Sequence, residues 1–476
     1  MSDTSNPIAE FPAATLAQWR ALVEKTLKGE PFESLQRTTL EGLPIAPLYD
    51  GAAAAPSFAP RPHDAERPWD IRSIIAHPDP ACANAELLAD LEGGAASGLI
   101  VIDPAGQDGV AIGSAEDLAR VLGGVMLEFA PIALDAGFLG PKAADWLGSA
   151  AKSSPTALLS FHFDPLSSFA REGASPGPVE SHVVSAATVG ARLIATYPKA
   201  SLFLASGRVI HEAGGGEAGE LAFALAAALT YAKGLVRAGL PMQEAFAAIQ
   251  LGLAADADYF ATLAKHRAAR LLWTRLVTAC GADVPARIEA RSSRRMLTVQ
   301  DPWTNMLRLT SAAFGAAVGG ADTVVLGAFT DALGLATEFA RRQSRNAQLV
   351  LMEEAHLGRV SDPAAGSGYV EALTDEMARA AWAQFQAIEA EGGLIAALVS
   401  GQIAAQIATT CAARDASGPP KIVGVTAFPP AQDAPVDVQR PAARSVEAPS
   451  TRLPGPDGHC PPLTPIRLAQ AHEAAR

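Results

Sequence analysis

Cysteine is scarce, with four in 476 residues. Cys82, Cys280, Cys411 and Cys460 lie far apart, and no two form the Cys-x-x-Cys spacing of a zinc site or a redox pair. Reduced thiols in a cytoplasmic protein are the expectation. Basic charge is also short: 37 Lys and Arg against 50 Asp and Glu leave a net charge of −13, with no long basic run. Neither nucleic acid nor an anionic membrane is therefore an expected partner. The opening Met-Ser-Asp-Thr-Ser-Asn-Pro-Ile-Ala-Glu-Phe has no basic n-region and no apolar h-region, so no secretory signal is read there. The longest uncharged stretch, Gly392 to Ala413, is long enough to test as a membrane span, but Ser400, Gln402, Gln406, Thr409 and Thr410 interrupt it. Its aliphatic residues Ile395, Leu398, Val399, Ile403 and Ile407 recur at helical spacing, which predicts a core-facing amphipathic helix. No internal repeat recurs at a fixed period.

What the chain has is apolar residue in quantity, 49%, ample for a large core. Its length fits two or three average domains or one (β/α)8 barrel, which takes roughly 250 residues or more. Three regions differ in composition. An arm over residues 1–67 opens with a helix over Thr15 to Lys28, whose stripe of Leu16, Trp19, Leu22, Val23 and Leu27 should bury against something else. Gly-Leu-Pro-Ile-Ala-Pro-Leu-Tyr-Asp and a Pro/Ala-rich stretch follow it. Over 68–413 short β-rich runs alternate with helical ones, which predicts parallel strands with helical crossovers. Strands are expected at Leu99 to Ile102, Ala157 to Phe161, Leu202 to Leu204 and Thr323 to Leu326, with weaker ones at Val110 to Ile112 and Pro131 to Leu134. Ser114 to Asp117 has the side chains of a capping box, and Glu217 to Gly234 reads as a long helix stopped by its glycine. An open doubly wound sheet shares this alternation, so the pattern favours a barrel only slightly. Over 414–476, prolines from Pro419 to Pro465 forbid helix and central strand, leaving an extended tail along the barrel.

Few clusters suggest chemistry. Glu212 to Gly219 is glycine-rich, but Glu220-Leu221 stand where a phosphate loop needs lysine and Ser/Thr, so a plain turn into the next helix is expected. Lys265-His-Arg-Ala-Ala-Arg-Leu-Leu-Trp273 reads as a helix with a solvated basic face and Trp273 in the core. Arg341, Arg342, Arg345 and Asn346 read as a polar helix end.

Several blocks stand in a fixed order: Thr15 to Gly29, Gly42 to Asp50, Arg67-Pro-Trp-Asp-Ile-Arg72, Ser206 to Gly214, Lys265 to Trp273, Gln300 to Arg308, Gly319 to Gln348, Asp362 to Thr374 and Leu463 to Arg476. Together they resemble the adenosylcobalamin-dependent methylmalonyl-CoA mutase family over nearly the whole chain. The resemblance implies a (β/α)8 TIM barrel with an N-terminal helical and extended arm and a Pro-rich C-terminal tail.

The family's chemistry needs a tyrosine against substrate and corrin, an arginine for the substrate carboxylate and a histidine for the thioester carbonyl. Family catalytic chains carry Ser-Gly-Tyr-His-x-x-Glu-Ala-Gly, and this chain reads Ser206-Gly-Arg208-Val209-Ile-His211-Glu-Ala-Gly214. Arg208 thus replaces tyrosine and Val209 histidine, while His211 lies past the strand end and is a weak substitute. Ile74 replaces the second tyrosine, after Pro-Trp-Asp-Ile-Arg. Ser160-Phe-His-Phe-Asp164 replaces the segment ahead of the carboxylate arginine, and Ala321 to Gly327 replaces a Thr-Gln-Ser-Leu-His-Thr-Asn stretch. Asp457-Gly-His459 matches the cobalt-binding Asp-x-His-x-x-Gly only by chance, since Pro462 stands at its glycine. Ile74, Arg208 and Val209 are therefore degenerate positions. The resemblance implies a non-catalytic small (beta) subunit that binds no cofactor or metal itself, with adenosylcobalamin in a catalytic (alpha) partner. Two alternatives are an active acyl-CoA mutase barrel borrowing a cobalamin domain from a separate chain, and a CoA-ligand-binding protein.

Overall fold

The computed structural model describes residues 14–50, 61, 64 and 66–473. Short aliphatic runs form strands where both faces can be covered: β1 (Asp70–Ile75), β2 (Ser97–Val101), β3 (Ile132–Asp135), β4 (Leu159–Phe163), β5 (Ser201–Ser206), β6 (Ile249–Ala255), β7 (Ile288–Ser292) and β8 (Thr323–Val325). They pair in parallel in that order, and Thr323 of β8 registers with Asp70 of β1, which closes the ring. That closure decides between the two architectures that alternation allows: the chain is a (β/α)8 barrel. Helices cover the outside, and the core lies between them and the outward faces of the strands.

The strands expected at 99–102, 157–161, 202–204, 323–326 and 131–134 are found, shifted by up to two residues at their ends. Val110 to Ile112 is not a strand; Val110 makes a single bridge to Ile102. Three strands, β1, β6 and β7, were not anticipated. The long helix runs Glu217–Arg237, three residues past Gly234, because Gly234 sits against Val183 and Ala187 where a side chain would crowd. Ser114 accepts from the Asp117 backbone at 3.2 Å, but the Asp117 carboxylate accepts from Gly113 N–H and the Ser114 hydroxyl rather than from the Ser114 backbone N–H that would close the box. The apolar stretch at 392–413 forms two helices, Leu394–Val399 and Gln402–Ala416, broken at Gly401, whose φ of +82° suits glycine. Leu398, Ile403 and Ile407 are buried as their spacing predicts, and Val399 is exposed. Among the described residues one helix, Glu217–Arg237, is long and apolar enough to cross a membrane, and most of it is buried in this fold.

The basic helix is the clearest correction. Lys265, His266, Arg267 and Arg270 are all buried on the helix Tyr259–Ala279, with Trp273. These basic residues make no solvated face, because each cation finds a carboxylate in the fold: Lys265 pairs with the buried Glu220 at 2.6 Å, Arg267 with the half-buried Asp362 and the buried Glu371, and Arg270 with the half-buried Asp322 at 2.8 Å.

The arm divides in two. Thr15 and Gln18 make a capping box for the helix Leu16–Thr26, which has no buried residue; Trp19 packs only edge-on to Phe32. Beyond it a hairpin pairs Arg37–Thr38 with Pro44–Ile45, Leu43 is buried, and Glu41 caps the helix Glu217–Arg237 by accepting from Ala218 and Gly219. This second half docks on its own barrel. The Pro/Ala-rich stretch over 51–60 lies outside the described residues.

Past Ala416 the proline-rich chain is extended and runs around the carboxyl ends of the strands. Gln439 N–H donates to Leu335, Val446 to Pro104, Leu453 to Pro176, Cys460 to Gly173, Ile466 to Glu212 and Leu468 to Arg295. Each acceptor lies in a segment that follows a barrel strand.

Candidate functional site

In a (β/α)8 barrel the loops at the carboxyl ends of the strands frame the one opening where side chains from many strands converge. Here that opening is a cavity of about 990 Å³ lined by Asp135, His162, Asp164, Ser206, Arg208, Val209 and Arg291, with Pro465 and Ile466 of the tail as part of its wall. A second cavity of about 400 Å³, lined by Ile74, Arg72, Glu86, Asp90, Arg341 and Arg345, shares Arg291, Arg294 and Asp331 with it. The three degenerate positions thus gather at one end of the barrel. Ile74 packs on Leu99, Ala133 and Val325, forming an apolar plug inside the ring. Arg208 and Val209 begin the short helix Arg208–Glu212 directly after β5.

Charged side chains cross the lumen. Arg72 of β1 donates to Glu289 of β7 at 2.7 Å, to Asp70 at 2.9 Å and to Ser97 at 2.9 Å. Arg291 of β7 meets Asp135 of β3 at 3.2 Å. Strands β3 and β7 lie on opposite sides of the eight-stranded ring, so this ion pair spans the mouth. Burial pushes the Asp135 carboxyl up, but Arg291, Arg171 and Arg208 outweigh it and hold it below the usual range. Burial likewise works against Glu289, and His162 and Arg72 lead the charges that keep it low.

Sequence reasoning missed His162 and Asp164 as individual residues. His162 sits at a register shift in β4 with a φ of +49°, the left-handed region where non-glycine backbone is strained. Its Nε2 lies 3.3 Å from Gln250 and 3.9 Å from Glu289, and burial lowers its pKa. Asp164 caps the helix Pro165–Glu172, takes a 2.6 Å hydrogen bond from the Tyr231 hydroxyl, and is pushed by burial up to about 7. The departure of Ser160 to Asp164 from the family pattern was the available signal.

His211 points elsewhere. Fully buried outside the mouth, its Nε2 lies 2.9 Å from Asp256 and 3.1 Å from Ser293, with Glu220 3.5 Å from Nδ1. Burial, Arg295 and Lys265 depress its pKa, but the bonds to Asp256 and Glu220 leave it raised overall. It belongs to a buried ionic network with Lys265 and Arg295. The glycine-rich turn before Glu217 is a turn into a helix, as expected, with Gly214 at φ +97°. Arg341 and Arg345 are a structural helix end: they pair at 2.7 Å with Glu86 and Asp90 of the neighbouring helix Pro80–Glu92.

The family model for methylmalonyl-CoA mutase matches residues 63–452. The chain belongs to the methylmalonyl-CoA mutase family. It is 40% identical to the methylmalonyl-CoA mutase small subunit of Streptomyces virginiae over 90% of this chain and 73% of that protein. The small subunit of Propionibacterium freudenreichii subsp. shermanii is 34% identical over 88% of this chain and 69% of its own. The methylmalonyl-CoA mutase of Cereibacter sphaeroides is 32% identical over 89% of this chain and 65% of its own. The chain therefore spans about two thirds to three quarters of the length of these mutase-family relatives.

His459, in the one stretch resembling a cobalt-binding motif, is an exposed member of a two-residue strand paired with Ala174–Ser175, and its neighbour Asp457 is occupied by Gly177 N–H and Arg452. Above the mouth, the space over the strands is crossed by the tail.

Proposed function

We propose that this chain is the non-catalytic small subunit of an adenosylcobalamin-dependent methylmalonyl-CoA mutase, supporting a catalytic chain that carries the cofactor and interconverts methylmalonyl-CoA and succinyl-CoA. One observation carries the reading: Arg208 and Val209 stand in the mouth where the family's catalytic chains hold tyrosine and histidine, beside an Arg291–Asp135 pair that bars the lumen. An aliphatic side chain cannot hydrogen-bond a thioester carbonyl. A fixed ion pair across the axis leaves no straight path for an extended acyl-CoA.

The bare helix Leu16–Thr26 supports the partner half of the proposal. Leu16 and Leu22 are 53% and 64% exposed, and no residue of the helix is buried among the described residues. Its burial against the catalytic chain would supply part of a standard interface of about 1,600 Å².

The test is mutase activity of this chain alone, of the catalytic chain alone, and of the pair. Turnover should need the catalytic chain, and Val209→His in this chain should leave the pair's activity near wild type, since lost groups that act as a unit are not restored singly. An acyl-CoA mutase barrel that borrows a cobalamin domain would instead gain turnover when only such a domain is added.

A further inference from the structure

Burying an arginine is costly unless a carboxylate accompanies it. Arg72, Arg267, Arg270 and Arg295 obey this, each holding a carboxylate oxygen within 3.1 Å. Arg208 does not. Among the described residues it donates to no acceptor and pairs with no acid, and its Nε is sealed from solvent without a partner. Burial, reinforced by Arg291, pulls its pKa down to about 10, so it remains a cation at neutral pH. Glu212, Asp135 and Glu289 act on it only from beyond ion-pair distance. The guanidinium lies in the wall of the 990 Å³ cavity.

We propose that the barrel mouth is a binding site for a small monocarboxylate with an apolar body, whose carboxylate takes the unoccupied fork of Arg208. Three observations fix the class. The planar guanidinium matches a carboxylate or a phosphate through two parallel hydrogen bonds. The surrounding Asp135, Glu289 and Glu212 repel a phosphate dianion more strongly than a single charge, which selects the carboxylate. The cavity is far larger than a carboxylate group, and Phe138, Leu139, Leu204, Val209 and Ile466 line it, so the rest of the ligand is apolar. Ile466 belongs to the tail and is held in place by its N–H bond to Glu212, so tail and barrel build the site together. Binding here involves no bond making and is independent of whether the chain is catalytic.

The experiment is calorimetric titration of the full chain at constant ionic strength with octanoate, octanamide and inorganic phosphate. Octanoate binds at one saturable site, and octanamide, which lacks the charge, binds about 10- to 100-fold more weakly. Arg208→Gln removes that difference, and Arg208→Lys, which keeps the charge but not the fork, retains part of it. Because Arg208 has no protein partner, Arg208→Gln unfolds at the wild-type temperature or above it, so its binding can be read. No saturable octanoate binding, equal affinity for octanoate and octanamide, tighter binding of phosphate, or octanoate binding untouched by both substitutions would each overturn the proposal.

Discussion

Arg267 and Asp362 meet fork to fork, with Nε to Oδ1 and Nη2 to Oδ2 both at 2.9 Å. The same guanidinium reaches Glu371 at 2.8 Å and Thr374 at 3.2 Å. Two blocks that resemble family signatures, Lys265 to Trp273 and Asp362 to Thr374, are therefore one structural clasp between the helices Tyr259–Ala279 and Gly368–Ala390. Asp362 holds a left-handed φ of +44° to offer its carboxylate, which places the strain of this turn at the clasp.

Arg267→Ala leaves Asp362 and Glu371 without their shared counter-ion, and removing one partner of a buried pair costs about 3–5 kcal/mol. Arg267→Lys loses the two-pronged geometry and should fall between alanine and wild type. Denaturant unfolding followed by circular dichroism measures both; a loss below about 1 kcal/mol for Arg267→Ala would contradict this assignment.

The tail is held by close backbone approach at Gly113. A Cβ there would run into the carbonyl oxygen of Glu447, and Gly113 is not at positive φ, so alanine acts on the contact alone. Gly113→Ala should raise hydrogen exchange around residues 444–448 while the barrel strands keep their protection. Unaltered exchange in that segment would show that the tail is anchored elsewhere.

Asp164 sets a pH dependence whose sign follows from its raised pKa. Burial lifts the carboxyl from its ordinary 3.8 to about 7, so between those values the folded state holds a proton that the unfolded chain has released. Its contribution is complete below the lower value and is lost as pH rises through the upper, at up to about 1.4 kcal/mol per pH unit. Asp164→Asn keeps the acceptor for Tyr231 and the cap but cannot ionise. The variant's stability relative to wild type should therefore rise from pH 4 to pH 7; a difference that stays constant across that window would sink the assignment.

Deleting residues 1–28 removes the uncovered helix without touching Leu43 or Glu41, which pack on the barrel. The shortened chain should fold and no longer co-purify with a catalytic mutase chain. Retention of the complex on size exclusion would place the interface elsewhere.

What could be read in the sequence followed from local signals. Leu99 to Ile102 and Thr323 to Leu326 are short aliphatic runs, and proline alone dictates the extended tail. β1 and β7 escaped because their inward faces carry Arg72, Glu289 and Arg291, charges that break an apolar run and find their partners only inside the closed ring. β6 escaped because Ile249–Ala255, rich in alanine and glycine, follows the helix Met242–Ala247 with only one residue between. The burial of the basic helix is hidden in the sequence for the same reason as β1: the acceptors of Lys265 and Arg267 lie 45 and 95 residues away. At the mouth, the departures at Ile74, Arg208 and Val209 were legible by resemblance. That Arg208 lacks a partner was not, because pairing is a property of the assembled ring.

The account rests on this chain leaving the cofactor to its partner, and cobalamin stoichiometry measures that directly. The purified full chain, dialysed against adenosylcobalamin, should retain none by its visible absorbance, whereas the pair should retain one cobalamin per catalytic chain and none beyond it. Near-stoichiometric retention by the isolated chain, or two cobalamins per pair, would contradict the account.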